Sequence, residues 1–309
     1  MDKIPVIVIC GPTASGKTAL SIEIAKHLES EIVSADSMQI YKYMDIGSAK
    51  PDMDEREGIV HHMMDIIEPT QNYSVAEYAQ NAHKIIYDIY SRGKIPVMVG
   101  GTGLYINSVI NDVDFAEGDC DEKLRNELTD LAKNEGVEKL HNMLREIDEK
   151  AAEAIHMNNV KRVIRAIEFY KLNGKKISEH SELGKEKESR YRPLMLDILW
   201  DREALYERIN RRVDIMFDMG LVDEVKKLLD MGCTSDMTSM QGIGYKETVS
   251  YIKGEKTFEE VSEEIKQSSR RYAKRQLTWF RRDERIIHLD PDKIKSEGIE
   301  KVEEFVGKL

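Results

Sequence analysis

An apolar run, Pro5-Val6-Ile7-Val8-Ile9-Cys10, leads directly into Gly11-Pro12-Thr13-Ala14-Ser15-Gly16-Lys17-Thr18, a complete G-x-x-x-x-G-K-[ST] sequence. No other feature constrains the chain so tightly. A strand that feeds a glycine-bearing turn and then a helix, predicted from about Thr18 to Leu28, turns successive backbone N–H groups inward and adds a positive helix end. Such a loop holds a di- or triphosphate. Lys17 is placed to reach the outer phosphates, and the Thr18 hydroxyl to face a magnesium ion. The loop alone leaves open what is done with the phosphate.

The 309 residues suffice for a full core and a second, smaller unit. With 41% hydrophobic and 33% charged residues and no bilayer-length apolar run, the composition predicts a soluble globular protein without a membrane partner. The chain enters its first strand within a few residues, so no signal or transit peptide and a cytoplasmic location are expected. Cys10, Cys120 and Cys233 lie far apart without a CxxC pair and read as reduced packing residues. The net charge of −11 argues against a polyanion partner until its distribution is considered. Lys266–Arg285 holds eight Lys/Arg against two acids, and Asn158–Lys176 six against one.

Strands predicted at Val6–Cys10, Glu31–Ala35 and Pro96–Val99 alternate with helices, one from about Val75 to Ser91, which implies an α/β parallel sheet. From about Asp119 to Gly174 the pattern is almost wholly helical, and a charged stretch, Glu179–Arg192, ends it. A strand at Leu194–Trp200 then returns to the sheet. Helices follow at about Arg202–Met219, Val222–Met231, Tyr245–Lys253 and Phe258–Arg282, then a strand at Ile286–Leu289 and a closing helix. The expected organisation is core 1–115, helical insertion 116–193, and core again 194–309.

Asp36, just past the second strand, suits either a magnesium contact and proton acceptance or a plain turn. The third strand runs into Gly100-Gly101-Thr102-Gly103 where many P-loop NTPases place a metal-binding Asp, which counts against ATP hydrolysis. The glycines there admit close approach of a ligand, or simply a turn. On the helix after Asp201, Arg212 falls at the edge of the apolar stripe Leu205, Ile209, Val213 and Met216, while Arg211 points away. Arg212 could pair with a carboxylate or clamp a departing diphosphate. Arg162, Arg165 and Phe169 are expected on one outward face, as an RNA surface or a solvated one. On the last long helix Lys266, Arg270, Lys274 and Arg281 cluster without acids at i+4, which favours a polyanion. His61-His62 lack a third metal ligand, and Met63-Met64 and Met237-Met240 read as core.

Taken in order, the phosphate loop, Asp36-Ser37-Met38-Gln39-Ile40-Tyr41, Asp45-Ile46-Gly47-Ser48-Ala49-Lys50-Pro51, Gly100-Gly101-Thr102-Gly103-Leu104-Tyr105, Arg162-Val163-Ile164-Arg165-Ala166, Gly242-Ile243-Gly244-Tyr245 and Lys274-Arg275-Gln276-Leu277-Thr278-Trp279 resemble the bacterial tRNA dimethylallyltransferases. The resemblance spans nearly the whole chain. It implies a P-loop NTPase-like parallel sheet core with a helical insertion domain that closes over a tRNA anticodon stem-loop. It further implies magnesium-dependent transfer of a dimethylallyl group from its diphosphate to the N6 amine of adenosine 37, by a monomer. By resemblance Asp36, Arg212 and Thr13 are catalytic, with Asp36 the general base; Thr18 and Asp36 face the metal; and Gly11, Pro12, Thr13, Ala14, Ser15, Gly16, Lys17 and Thr18 hold the diphosphate where a kinase holds ATP. The tRNA contacts it implies are Asp36, Ser37, Met38, Gln39, Thr102, Arg125, Asn159, Val160, Lys161, Arg162 and Val163. Toward the C-terminus they continue with Met240, Gln241, Gly242, Ile243, Gly244, Tyr245, Lys274, Arg275, Gln276, Leu277, Thr278, Trp279, Phe280 and Arg281. Eukaryotic relatives often add a C-terminal zinc finger, which this sequence lacks. Three other readings share parts of this pattern: an adenylate isopentenyltransferase acting on free nucleotide, a P-loop small-molecule kinase, and a nucleotide-dependent RNA-binding regulator. The insertion and the basic helix favour RNA over a free nucleotide.

Overall fold

The computed structural model describes residues 3–113, 121–180 and 188–309. The chain divides into two compact units, Met1–Asn111 with Ser189–Leu309, and Asp112–Glu188. The insertion therefore begins and ends a few residues earlier than the 116–193 expected. The reason for the early return is β5 (Tyr191–Ile198), whose first residue already pairs with Ile4 of β1 (Ile4–Ile9).

In the larger unit β1, β2 (Ile32–Ser34), β3 (His61–His62), β4 (Val97–Val99), β5 and β6 (Ile286–Leu289) form one parallel sheet in the order β3-β2-β4-β1-β5-β6. β1 is central and fully buried from Val6 to Ile9, since alternate side chains point to opposite covered faces. On one face Ile7 and Ile9 pack with Leu20 and Ile24 of α1 (Lys17–His27). On β2's carbonyl edge the Tyr78 hydroxyl of α2 (Val75–Ser91) donates to Ser34 O, and its ring stacks on Tyr105 of α3 (Gly103–Ile110). Ser74 and Glu77 form a reciprocal capping box that fixes where α2 starts.

The smaller unit holds α4 (Glu122–Asn134), α5 (Val137–Ile147), α6 (Glu149–Ala154) and α7 (Val160–Asn173) around Leu128, Leu140, Leu144, Val163 and Ile167. The chain then runs through α8 (Arg202–Asp218), α9 (Leu221–Asp230), a 3₁₀ turn at Ser239–Gln241, α10 (Tyr245–Ile252), α11 (Phe258–Phe280), and, after β6, α12 (Ile294–Val306). α8 and α11 meet through Leu205, Ile209 and Ala273. α11 starts at a second capping box, Thr257 with Glu260.

Two elements escaped the sequence reading: the two-residue edge strand β3, and α3, whose start among glycines read as a turn. Cys10 and Cys233 are buried and free, and burial pushes both thiols up; Cys120 lies outside the described residues. No described helix is long and apolar enough to cross a membrane.

Candidate active site

The phosphate loop turns on three left-handed residues, Gly11 (φ 123°), Ala14 (φ 62°) and Gly16 (φ 100°), and opens into α1 at Lys17. Burial lowers the Lys17 pKa to about 8, and the nearby Arg212 cation pushes the same way while Asp36 opposes both. Arg212, on α8, reaches the loop as its place at the stripe edge requires: its guanidinium bonds Thr13 Oγ1 at 3.3 Å and Ala49 O at 3.5 Å. Burial holds it below the usual arginine value, again opposed by Asp36. Two partly buried cations flanking one loop create a strong demand for an anion.

Asp36 follows β2, and its Oδ1 accepts the Met38 N–H at 2.8 Å, which closes a tight turn. Ser37 N–H donates to Thr102 Oγ1 at 3.0 Å, so the end of β2 is latched to the start of α3. The carboxylate is a turn former, and it also lines a cleft of about 340 Å³ with Thr13, Lys17, Thr18 and Arg212. The apolar wall of that cleft comes from Met38, Met64, Met216, Ile243 and Ile265. Tyr272 borders it as well, its hydroxyl pushed up to about 12 by burial and by the Asp36 charge. The cleft therefore combines cations suited to phosphate, apolar side chains suited to carbon, and the Asp36 carboxylate.

Gly100 and Gly101 after β4 line the cleft and are also approached closely by the protein itself. A Cβ on Gly100 would collide with the Ala35 backbone, and one on Gly101 with the Gln276 amide. Gln276 is buried and spans both loops, accepting from Thr13 N–H at 3.0 Å and donating to Gly101 O at 2.9 Å. It also lines the cleft. Gln39 is likewise turned inward, onto Ser34 and the Ser48 and Ala49 carbonyls.

Several other expected tRNA contacts sit in cores. Val163, Met240, Tyr245 and Phe280 are at most 4% exposed, so they support a surface and do not form it. The Tyr245 hydroxyl donates to Glu224, which also gathers the N–H groups of Asp45, Ile46 and Gly47. Gln241, Gly242 and Ile243 do line the cleft. Trp279 packs against Gly103, Leu277 against the α8–α11 seam, and Thr278 back-bonds Lys274 O. In the insertion Asn159, Lys161 and Arg162 are exposed and Val160 half-buried. Arg125 is engaged with the buried Glu168, as is Arg165. Phe169 is 4% exposed and packs on His180, which overturns its outward placement; Tyr170 is the exposed aromatic.

The basic face of α11 also needs correction. Lys266 pairs with Asp214 of α8, and Arg270 bonds Asn210 of α8 and Glu263. Lys274, Arg275 and Arg281 remain exposed. Arg211 is exposed as foreseen, yet with Arg208, a residue the sequence reading passed over, it lines a second groove along the phosphate loop that shares Lys17, Thr18 and Arg212 with the cleft. His61 borders the cleft, and burial lowers its pKa, which favours the neutral ring. Among the described residues no His, Cys, Asp or Glu cluster of three could hold a metal alone.

The IPP transferase family model matches residues 39–283. A tRNA dimethylallyltransferase of Acetivibrio thermocellus is 54% identical over 94% of this chain and 93% of its own length. One from Clostridioides difficile is 51% identical over 96% and 94%. Among solved structures, a full-length tRNA isopentenylpyrophosphate transferase of Bacillus halodurans superposes with a TM-score of 0.72 at 44% identity, covering 98% of both chains. A eukaryotic dimethylallyltransferase acting on tRNA gives a TM-score of 0.80 at 32% identity over 93% of this chain and 74% of that one.

Proposed function

The chain belongs to the IPP transferase family, and we propose that it moves a dimethylallyl group from dimethylallyl diphosphate to the N6 amine of adenosine 37 in tRNA, releasing diphosphate. The observation that carries this reading is the single cleft in which Lys17, Thr18 and Arg212 face Asp36 beside an apolar wall.

The loop amides, Lys17 and Arg212 bind the diphosphate and orient the allylic carbon toward Asp36. Negative charge grows on the leaving group as the carbon–oxygen bond breaks, and Arg212, held in a desolvated setting, meets that charge without reorganising. Asp36, fixed through Oδ1, takes the amine proton on Oδ2 as nitrogen bonds carbon. Adenosine 37 must leave its stack to enter. The Thr18 hydroxyl and Asp36 carboxylate are the hard oxygen donors magnesium takes, and diphosphate and water would complete the shell. Magnesium there would add charge neutralisation at the leaving group.

Incubation with labelled dimethylallyl diphosphate, magnesium and total tRNA should place label in one modified adenosine of tRNA. Label in free AMP instead would make the protein an adenylate isopentenyltransferase, turnover of ATP a kinase, and stem-loop binding without label a regulator.

Lys17 sets the pH dependence. Its amine is charged below about 8 and loses its proton above it. Hence kcat/KM for dimethylallyl diphosphate at saturating tRNA should fall as pH rises through that value. A profile that stays flat well into the alkaline range would remove Lys17 as the anchor.

Salt dependence tests the RNA surface. Alanine at Lys274, Arg275 and Arg281 together should flatten the log–log salt slope of stem-loop binding by roughly 0.7–0.9 for every phosphate left without its cation. Alanine at Lys266 and Arg270, already paired with Asp214, Asn210 and Glu263, should leave the slope unchanged. The reverse pattern would move the RNA to the other side of α11.

A further inference from the structure

Four consecutive residues of the phosphate loop are each held by a side chain. Pro12 O accepts from Lys17 Nζ, and Thr13 N–H donates to Gln276 Oε1. Ala14 O accepts from Arg208 Nε at 2.8 Å, and Ser15 O from the Trp200 indole N–H, also at 2.8 Å. The last two tethers are one unit, because the Arg208 guanidinium lies over the Trp200 ring, 4.3 Å from its centroid. Neither residue lines the catalytic cleft; Arg208 borders the second groove along the loop, which shares Lys17, Thr18 and Arg212 with the cleft, and Trp200 packs into the seam beside α1 and α8.

We propose that Trp200 and Arg208 are positioning residues that hold the phosphate loop in its anion-binding form. In a planar trans peptide the carbonyl of one residue and the N–H of the next point in opposite directions. Tying Ala14 O to Arg208 and Ser15 O to Trp200 therefore aims the N–H groups of Ser15 and Gly16 away from those two side chains and fixes the direction in which they can meet an anion. The brace has work to do, since Ala14 sits at φ 62°, a conformation its β-carbon disfavours, and an unbraced loop would relax away from it. Trp200 supplies the donor and the flat surface. Arg208 supplies a donor whose plane is fixed by that surface, which a lysine cannot reproduce. The proposal rests on the diphosphate reading of the cleft and adds two residues to it.

The test is calorimetric titration of the full chain with inorganic pyrophosphate and magnesium, alongside anticodon stem-loop binding and thermal midpoints. Trp200→Phe keeps an aromatic face and every charge, but replaces the indole by a smaller ring and removes its N–H. It should bind pyrophosphate about three- to tenfold more weakly, with unaltered salt dependence and stem-loop affinity. Arg208→Met should lose a similar factor, and Arg208→Lys should not restore it. Arg208 is exposed, so its variants test the loop without disturbing a core. Pyrophosphate affinity of Trp200→Phe within about twofold of the unaltered protein overturns the brace, whatever its thermal midpoint. Full, salt-sensitive recovery in Arg208→Lys also overturns it and makes Arg208 a steering charge. Failure of the unaltered protein to bind pyrophosphate in a Lys17-dependent way overturns the diphosphate reading itself.

Discussion

Asp36→Asn is expected to slow single-turnover prenyl transfer by about 10²–10⁴-fold while stem-loop affinity stays close to that of the unaltered protein. Asparagine keeps an oxygen for the Met38 N–H, so the turn and the Ser37–Thr102 latch beyond it survive. What disappears is the proton acceptor and its charge. That loss has a second signature. Asp36 is the group that favours the charged forms of Lys17 and Arg212 against their burial, so its removal should carry the alkaline fall in activity to lower pH. A single-turnover rate near normal would sink the general-base assignment, and an unmoved pH profile would sink the electrostatic one.

Lys17→Ala and Arg212→Ala should each remove a charge-assisted contact to the diphosphate, worth about 1.5–3 kcal/mol. They should differ in where the loss appears. Lys17 meets the diphosphate before and during reaction, so its removal weakens substrate binding and turnover alike. Arg212 also bonds Thr13, which lines the cleft with it, and it meets charge that grows as the bond breaks. Its removal should fall mainly on kcat. Arg211, exposed on the second groove, should show only a small effect that fades in high salt. Equal, salt-independent losses at Arg211 and Arg212 would contradict the geometry on which both assignments rest.

The parts of this molecule that local pattern encodes were readable from the chain. β1 is an unbroken apolar run, α2 announces its start through Ser74 and Glu77, and the period of α8 placed Arg212 at the edge of a buried stripe. The misreadings share a cause in long-range packing. Lys266 and Arg270 look unpaired along α11 because most of their partners, Asp214 and Asn210, lie on α8. Phe169 turned inward because α7 buries a wide arc that also takes in Ala166 and Ile167. Gln276 carries no local mark of its bridging role, since the groups it joins are 263 and 175 residues away. The same holds for Trp200 and Arg208, whose hydrogen bonds reach back 185 and 194 residues.

Because β1 sits between strands drawn from both halves of the chain, the site begun at Gly11 is finished only by Gln276. During synthesis this separates two events in time. A nascent chain that has released its phosphate loop still lacks β5, the Trp200–Arg208 tethers, Arg212 and the Gln276 bridge. At typical elongation rates the interval from Asp36 to Gln276 lasts roughly ten to fifty seconds. Throughout it the ribosome carries an incomplete enzyme in a compartment full of its own eventual substrate. Competence arrives late and nearly all at once, so truncated products of this gene should be inert toward both diphosphate and tRNA.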